Sequence, residues 1–228
     1  MPWALCCLSW LLYCSGSATC SRKKGRKMRI TDLEKTIGTF HMEVDDLYIE
    51  PEKIHGIVGP NGCGKTVFLK IAAGILPPDT GTVDYDGLSP RDITMMFQRP
   101  YLMHTTVYEN LIYPLKIRGI RPDEEEIDRM LSRVGLKEQK RQYARSLSSG
   151  ERQKLSFLRA VIFKPRMIMV DETLSNLDSE SEELFAGMIG EIQKVRPVTW
   201  LIVNHQMDHI CRLCDEMHYM EKGRFVKR

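Results

Sequence analysis

Alternating apolar and polar residues at the start of the chain predict two antiparallel strands, over 28–33 and 41–49, with Gly38 as a turn between them. A continuous apolar run then covers Ile54–Val58, which is typical of a parallel strand buried on both faces. Helical spacing over 67–73 ends at Gly74 and a pair of prolines. Further short apolar runs predict strands over 82–85, 93–97, 167–170 and 198–203.

The middle of the chain has a different pattern, because helical spacing replaces the strands from about residue 99 to residue 146. Apolar residues from Ile127 to Val134 recur at helical intervals, and three glutamates at 124–126 precede them. Acidic side chains stabilise a helix N-terminus, which favours a helix over 123–134 rather than a metal site. Strands and helices therefore alternate at both ends of the chain around a helical block, as in an α/β protein.

A glycine-rich segment follows the buried strand and opens the predicted helix. It matches the phosphate-binding pattern G-x-x-x-x-G-K-T with Gly59, Pro60, Asn61, Gly62, Cys63, Gly64, Lys65 and Thr66. Glycines let the backbone curl until successive N–H groups face phosphate oxygens, and the helix N-terminus adds partial positive charge. We expect Lys65 to reach the β- and γ-phosphates and the Thr66 hydroxyl to bind Mg²⁺. This loop alone indicates a P-loop NTPase without saying which.

An acidic pair, Asp171 and Glu172, follows the strand predicted over 167–170. At the carboxyl end of that strand, Asp171 is placed to hold Mg²⁺ through a water molecule, and Glu172 to polarise the attacking water as a general base. Taken alone, an acidic pair after a strand is more often a helix cap or a surface turn. Its position 105 residues after Thr66, together with the motifs that surround it, favours the catalytic interpretation.

Further motifs give the chain a specific resemblance to one family. The segment just upstream of the acidic pair resembles the ABC signature, usually Leu-Ser-Gly-Gly-Gln, and reads Leu147, Ser148, Ser149, Gly150, Glu151. Residues 175–178, ending at Asp178, resemble the family's D-loop, while Gln98 and His205 have the places of its Q-loop glutamine and switch histidine. With the P-loop and the acidic pair, six elements in the family's order cover roughly residues 30–225. The chain is identified as a member of the ABC-transporter ATPases.

The resemblance implies a fold and a domain organisation. We expect a P-loop NTPase of the ABC type, an α/β fold with a mixed parallel core sheet, an antiparallel β subdomain and an inserted helical subdomain. The ATPase domain is expected over residues 28–228, with the helical subdomain at about 99–150. Such domains pair head to tail, so a second copy of the ATPase subunit is an expected partner.

The resemblance also implies a role for each matching residue. The catalytic residues are expected to be Glu172, His205 and Gln98, with His205 holding the γ-phosphate and its attacking water. Thr66, Gln98 and Asp171 are the expected Mg²⁺ ligands, and the expected cofactors are ATP and Mg²⁺. ATP is expected to lie between the P-loop of one subunit, extended by Val67, and the signature of its partner. The residues expected to contact ATP in trans are Ser148, Ser149, Gly150, Glu151 and Asp178.

Three positions depart from the family pattern around the phosphates. Val67 stands where a second hydroxyl is common and removes one contact to the α-phosphate. Ser149 adds a Cβ where the backbone approaches phosphate. Glu151 replaces a neutral glutamine, so like charge is expected to weaken closure unless Arg152 or another cation offsets it. These changes predict an active but slow ATPase.

Two other residues near the loop carry open interpretations. Cys63 is expected to make the site sensitive to thiol reagents. Phe40 is the best candidate for an aromatic that stacks on adenine, and the alternative is a core position. Farther along the chain, Cys211 and Cys214 form a C-x-x-C without a second pair, so small part-buried side chains on one face of a helix are favoured over a metal site.

Charge and hydropathy set residues 1–27 apart as an apolar and basic tail. Residues 1–29 hold six basic and no acidic side chains, which leaves 27 basic against 30 acidic residues in the rest. A slightly acidic remainder is not typical of a general nucleic-acid binder, so no nucleic-acid partner is expected. The tail has three open interpretations: a translation-start artefact, a membrane-surface anchor, or a secretory signal, whose usual basic start is missing.

The resemblance implies an ATP-binding subunit that hydrolyses ATP to energise solute import through separate membrane permease subunits. A solute-binding protein is then an indirect partner, and the expected location is peripheral, at the cytoplasmic face of the cell membrane. Residues 97–110 resemble the corresponding stretch of tungstate, molybdate and phosphate importers, so an oxyanion is the expected cargo. An ATPase of an exporter or lipid-extracting complex shares every motif and stays an alternative, as does, less favoured, a non-transport ABC ATPase.

Overall fold

The computed structural model describes residues 27–171, 179–203 and 211–227, and of Ser179 and Cys211 it describes the backbone alone. Its first sheet has three antiparallel strands in the order β2-β1-β4. These strands are β1 (Met28–Ile37), β2 (Phe40–Ile49) and β4 (Thr80–Asp84). The predicted alternation of burial is present in both strands but changes phase once in each: the buried residues are Met28, Ile30 and Leu33 of β1 and Met42, Val44, Leu47 and Ile49 of β2.

The second sheet forms the core and has the strand order β5-β6-β7-β3-β8-β9. Its strands are β3 (Ile54–Val58), β5 (Ile93–Met96), β6 (Met167–Asp171), β7 (Thr199–Val203), β8 (Glu216–Glu221) and β9 (Arg224–Val226). All neighbours pair in parallel except β9, which closes an antiparallel hairpin on β8. Because parallel strands end at the same edge of a sheet, the segments after β3, β5, β6 and β7 meet there.

Five α-helices cover the sheets within the described residues. They are α1 (Lys65–Ala72), α2 (Val107–Lys116), α3 (Glu124–Arg133), α4 (Ser149–Val161) and α5 (Ser179–Val195). One apolar cluster joins α2, α3, α4 and α5 to the sheet around Phe157, Phe185 and Trp200. A second cluster packs α1 between the two sheets around Phe68. The α/β fold with a mixed core sheet and an antiparallel sheet is therefore as predicted.

Two details differ from the sequence-based predictions. Helix α1 begins at Lys65 rather than at residue 67, because the last glycine of the loop already takes the N-cap position. Cys211 lies on a 3₁₀ turn, Cys211–Leu213, and Cys214 follows it outside any helix or strand, so the prediction that this pair shares one face of a helix is wrong within the described residues. Among the helices that the structure describes, none is both long and apolar enough to cross a membrane.

Candidate nucleotide-binding site

The phosphate-binding loop leaves the carboxyl end of β3 and turns into α1. Its first glycine is required by packing, because a Cβ on Gly59 would lie 2.1 Å from the backbone oxygen of Met220 on β8. The next two glycines are required by backbone conformation, since Gly62 has φ +80° and Gly64 has φ +111°. The loop therefore has three glycines for two different physical reasons.

An open pocket of about 280 Å³ lies over this loop, and its lining residues are Phe40, Asn61, Gly62, Gly64, Lys65, Thr66 and Val67. Phe40, at the start of β2, packs so closely on the loop that a Cβ on Gly64 would lie 2.5 Å from its ring. The ring is half-buried and forms one wall of the pocket. Phe40 thus lies beside the loop, where a base-stacking residue is needed, while it also packs against the second apolar cluster.

Lys65 and Cys63 have opposite orientations within the loop. The Lys65 ammonium donates hydrogen bonds to the carbonyls of Gly59 at 2.8 Å and Pro60 at 3.1 Å, so it lies across the loop. The Cys63 side chain is 4% exposed and packs in the apolar core. A thiol in that position faces away from the pocket and from solvent. The expected sensitivity of the site to thiol reagents is therefore not supported, because the reagent cannot reach the sulfur in the folded chain.

Thr66 and Asp171 meet although they lie 105 residues apart in the chain. The Thr66 hydroxyl donates to Oδ1 of Asp171 at 2.8 Å, and Asp171 is 3% exposed at the end of β6. A hydroxyl and a carboxylate are the hard oxygen ligands that Mg²⁺ prefers, and the loop beside them is built for phosphate. The chemistry of these two residues therefore fits a Mg²⁺ ion.

The other catalytic candidates come, in the chain, after strands that end at the same edge of the core sheet. Gln98 lies two residues beyond β5, the strand that pairs with β6, and the Gln98 side chain is exposed. Glu172 directly follows β6, and His205 follows β7, the strand between β6 and β3. Glu172, Asp178 and His205 themselves lie outside the described residues. Their roles stay predictions, supported by the strands that lead to them.

The signature segment forms the N-terminus of α4. Ser148 is the N-cap: its hydroxyl accepts from the Glu151 N–H at 3.3 Å, and its own N–H donates to the Glu151 carboxylate at 2.8 Å. This reciprocal capping box holds the pKa of Glu151 below its usual value, and the largest cause is the hydrogen bond from the Ser148 N–H. A Cβ on Gly150 would meet nothing within 4 Å, and Ser149 is exposed. Residues 148–151 do not line the described loop pocket.

The geometry changes the interpretation of Glu151. The sequence suggested a charge that repels phosphate unless Arg152 offsets it, but the Arg152 guanidinium donates instead to the Leu147 carbonyl at 3.0 Å. The Glu151 carboxylate stabilises its own helix, and the charge of Lys154 favours its ionised form. The S-x-x-E spacing that signals this cap was readable in the sequence and was missed.

Two residues that the sequence analysis missed hold the segment after Gln98 in place. Asn110 is fully buried and its amide bridges the loop before α2, accepting from the Met103 N–H at 2.8 Å and donating to the Thr106 carbonyl at 2.9 Å. From the signature helix α4, Arg159 donates to the Tyr101 carbonyl at 2.7 Å, and burial lowers its pKa. The Gln98 segment is therefore joined directly to the helix that begins with the signature.

The sequence of this chain is similar to those of known proteins. The family profile described as ABC transporter matches residues 42–175, which is more than half of the chain. The chain belongs to the ABC transporter family. It is an ATP-binding domain of that family and an ABC-type ATPase, as the P-loop, acidic pair and signature predicted.

Individual relatives agree with this assignment. The tungstate uptake system ATP-binding protein of Peptoclostridium acidaminophilum is 37% identical over 205 residues, which cover 87% of this chain and 96% of that protein. A methionine import ATP-binding protein of Myxococcus xanthus is 34% identical over 197 residues, 80% of this chain but 60% of that longer protein. The solved structure of cbiO1 from Clostridium perfringens, part of the ABC transporter complex cbiONQ, has a similar fold: the TM-score is 0.74 at 22% identity, over 90% of this chain and 88% of that one.

Proposed function

We propose that this chain is the ATP-hydrolysing subunit of a membrane importer and that its cargo is an oxyanion such as tungstate, molybdate or phosphate. The single observation that carries the ATPase assignment is the contact between Thr66 and Asp171, which joins the phosphate-binding loop to the acidic strand end. Support for import comes from the tungstate uptake ATP-binding protein, because the match covers 87% of this chain and 96% of that protein.

Different groups in and around the loop bind the phosphates, the base and the metal ion. The backbone N–H groups around Gly62 and Gly64 and the N-terminus of α1 receive phosphate oxygens, and Lys65 exchanges its contacts to the loop carbonyls for contacts to phosphate. Phe40 supplies a flat apolar wall for the base. Thr66, Asp171 and Gln98 would hold a Mg²⁺ ion, which would supply positive charge against the phosphates.

Hydrolysis then needs a base and a group that orients the attacking water. Glu172 follows Asp171 at the strand end and polarises the attacking water, while His205 orients that water and the γ-phosphate. In the chain, Glu172 directly follows β6 and His205 comes two residues after β7, and both strands are parallel members of the core sheet, which supports these roles.

The signature acts on the nucleotide of a second subunit. Ser149 and Gly150 begin an α-helix, a Cβ added at Gly150 would meet open space, and neither residue lines the chain's own described pocket. A helix N-terminus attracts anions, so a triphosphate on a partner subunit fits it. Asp178 belongs to the same interface. The functional unit is thus a head-to-tail homodimer with two shared ATP sites.

Exposed aromatic residues near Gln98 favour contact with separate permease subunits. Phe97 is 39% exposed and Tyr101 is 73% exposed, and both lie in the segment that Arg159 ties to the signature helix. A permease that presses on this segment moves α4 with it, which couples transport to the ATP sites. The chain is then peripheral at the cytoplasmic membrane face, and a solute-binding protein acts through the permease.

The ATPase part of this proposal is tested with two variants of the purified chain. Glu172→Gln is expected to abolish hydrolysis while ATP binding is retained and the dimer accumulates, as measured by phosphate release and size-exclusion chromatography. Ser148→Arg is expected to block that dimer in the Glu172→Gln background and leave nucleotide binding to the monomer intact. Retained turnover in the first variant removes Glu172 from its role, and lost binding in the second contradicts the shared site.

The cargo is tested with the complex rather than the chain alone. The Glu172→Gln variant is used with ATP to retain permease subunits from detergent-solubilised membranes of the source organism. The wild-type complex is then reconstituted in vesicles with its solute-binding protein and supplied with tungstate, molybdate, phosphate or methionine. ATP-dependent accumulation of one oxyanion supports the proposal. Accumulation of methionine overturns the cargo, and outward transport overturns import.

A further inference from the structure

A cluster of two histidines and a glutamate lies on the core sheet, and no step of the proposed function uses it. His55 lies near the amino end of β3, and Glu216 and His218 lie on the parallel neighbour β8. His55 is the register partner of Glu216, and His218 follows two residues farther along β8. Because side chains alternate along a strand, the three share one face of the sheet.

The three side chains converge on a small volume. Nδ1 of His55 lies 3.0 Å from Nε2 of His218 and 3.4 Å from Oε2 of Glu216, and all three atoms lie within 4.8 Å of one another. A tetrahedral Zn²⁺ ion with bonds of about 2.0–2.2 Å separates neighbouring ligand atoms by about 3.3–3.6 Å. The observed spacing therefore matches the spacing of ligands around one such ion after small adjustments.

A hydrogen bond behind His55 sets the state of its ring. Nε2 of His55 lies 2.8 Å from the carbonyl oxygen of Glu50, so Nε2 carries a proton and donates it, which leaves the Nδ1 lone pair aimed at the cluster in the neutral ring. Metal-binding histidines almost always have such a partner on their other nitrogen. His55 is fully buried, so water does not solvate this lone pair.

The local charge also favours a cation. The Lys53 ammonium donates to the other oxygen of Glu216, Oε1, at 2.7 Å and also contacts Glu50, so two carboxylates face one ammonium beside the two histidines. Without a metal ion, the Nε2–H of His218 can donate to Nδ1 of His55 at 3.0 Å, while Oε2 of Glu216 lies 3.4 Å from the same nitrogen.

We propose that His55, Glu216 and His218 bind one divalent transition-metal ion of the zinc class. Two imidazoles and one carboxylate form a ligand set that Zn²⁺ accepts, with a fourth position for water. Glu216 and His218 are part-exposed, which gives the ion a path from solvent. The bound ion joins β8 to β3, the strand that carries the phosphate-binding loop, and it stabilises the folded sheet.

The test uses the full chain without an affinity tag, stripped with a chelator and kept free of nucleotide and Mg²⁺. Co²⁺ and Zn²⁺ are the probes. We expect one Co²⁺ per chain with visible absorption of a four- or five-coordinate nitrogen–oxygen site, displaced by one Zn²⁺. At Zn²⁺ about 100-fold above its dissociation constant, Tm should rise by about 5–10 °C, because binding to the folded state alone stabilises it.

Variants distinguish metal binding at this cluster from metal binding at other histidines. Glu216→Gln and His218→Gln change part-exposed positions and should weaken Co²⁺ binding at least 10-fold, whereas His41→Gln, at an exposed histidine outside the cluster, should not change it. Circular dichroism confirms that each variant is folded.

Three results overturn the proposal. The first is wild-type protein that binds no Co²⁺ or Zn²⁺ at 100 µM (roughly the weakest affinity expected of a specific site), which leaves a hydrogen-bonded histidine pair without metal. The second is binding that survives in both cluster variants. The third is a thiolate-to-cobalt absorption band, which places the ion on Cys211 and Cys214 or on another cysteine.

Discussion

Replacing Gly59 with alanine is predicted to damage the fold before it damages nucleotide binding. The added Cβ would lie 2.1 Å from the backbone oxygen of Met220 and 2.8 Å from the Cys63 sulfur, whereas real Cβ atoms essentially never come within 3.0 Å of another heavy atom. The Met220 carbonyl must therefore retreat by about 0.9 Å. It cannot do so freely, because β8 pairs with β3 on one side and β9 on the other.

The cost follows from this clash. Overpacking against well-ordered atoms costs about 1–3 kcal/mol, and a backbone obstacle places Gly59→Ala near 3 kcal/mol. That is a large part of a total stability of about 5–15 kcal/mol. Since 1 kcal/mol shifts Tm by about 2–4 °C in a chain of this size, Tm should fall by about 6–12 °C.

Gly62→Ala in the same loop is the matched control. A Cβ at Gly62 meets no atom within 4 Å, so only its left-handed backbone, with φ +80°, resists the change. That strain costs about 1–2 kcal/mol. Because Gly62 lines the pocket, its new methyl group should weaken ATP binding even though the fold persists. Gly187→Ala on the exposed face of α5, also with nothing within 4 Å, should instead add about 1 kcal/mol of stability.

Thermal unfolding by circular dichroism without nucleotide measures the first quantity, and titration with a fluorescent ATP analogue at 10 °C measures the second. The expected pattern is low Tm for Gly59→Ala, weak binding with a smaller Tm loss for Gly62→Ala, and raised Tm with unchanged binding for Gly187→Ala. Equal Tm losses for the two loop variants, or a wild-type Tm for Gly59→Ala, would refute the reasoning from packing.

Three further predictions concern the site itself. Asp171→Asn should reduce the Mg²⁺-dependent part of ATP affinity at least 10-fold but leave binding in EDTA unchanged; an equal loss in EDTA argues against a metal role. Glu151→Gln should lower stability at neutral pH by about 0.5 kcal/mol. Because the folded-state pKa of Glu151 is depressed, its carboxylate stabilises the fold above the unfolded-state pKa, and this gain is lost as pH falls through the folded-state pKa. The stabilities of wild type and variant, measured by urea titration, should therefore converge as the pH is lowered, and a constant difference contradicts this. Phe40→Ala should weaken ATP more than triphosphate alone in competition assays, and equal losses exclude base stacking.

Local sequence patterns predicted the parts of this protein that depend on near neighbours. The alternation over 28–33 gives β1, the apolar run gives β3, and glycines before Lys65 give the phosphate loop, because these features arise within a few residues of backbone geometry and burial. The capping box of Ser148 and Glu151 also depends only on near neighbours, although the sequence analysis expects Glu151 to repel phosphate instead.

Resemblance supplied what local physics alone does not. The order of the P-loop, the signature and the later motifs predicted the ABC family, and the match over residues 42–175 confirmed it. The trans contact of Ser148 and the roles of Glu172 and His205 stay predictions, because a second subunit and residues 172–178 and 204–210 lie outside what the structure describes.

Contacts between distant residues were decided by tertiary structure alone. The strand order β5-β6-β7-β3-β8-β9 brings Asp171 to Thr66 and Met220 against Gly59, and neither approach is visible in the spacing of the sequence. The same order turns His55 and two residues of β8 into a cluster, although 161 positions separate His55 from Glu216. The physical reason is that each strand specifies its own burial, whereas its neighbour in the sheet is selected by the packing of the whole core.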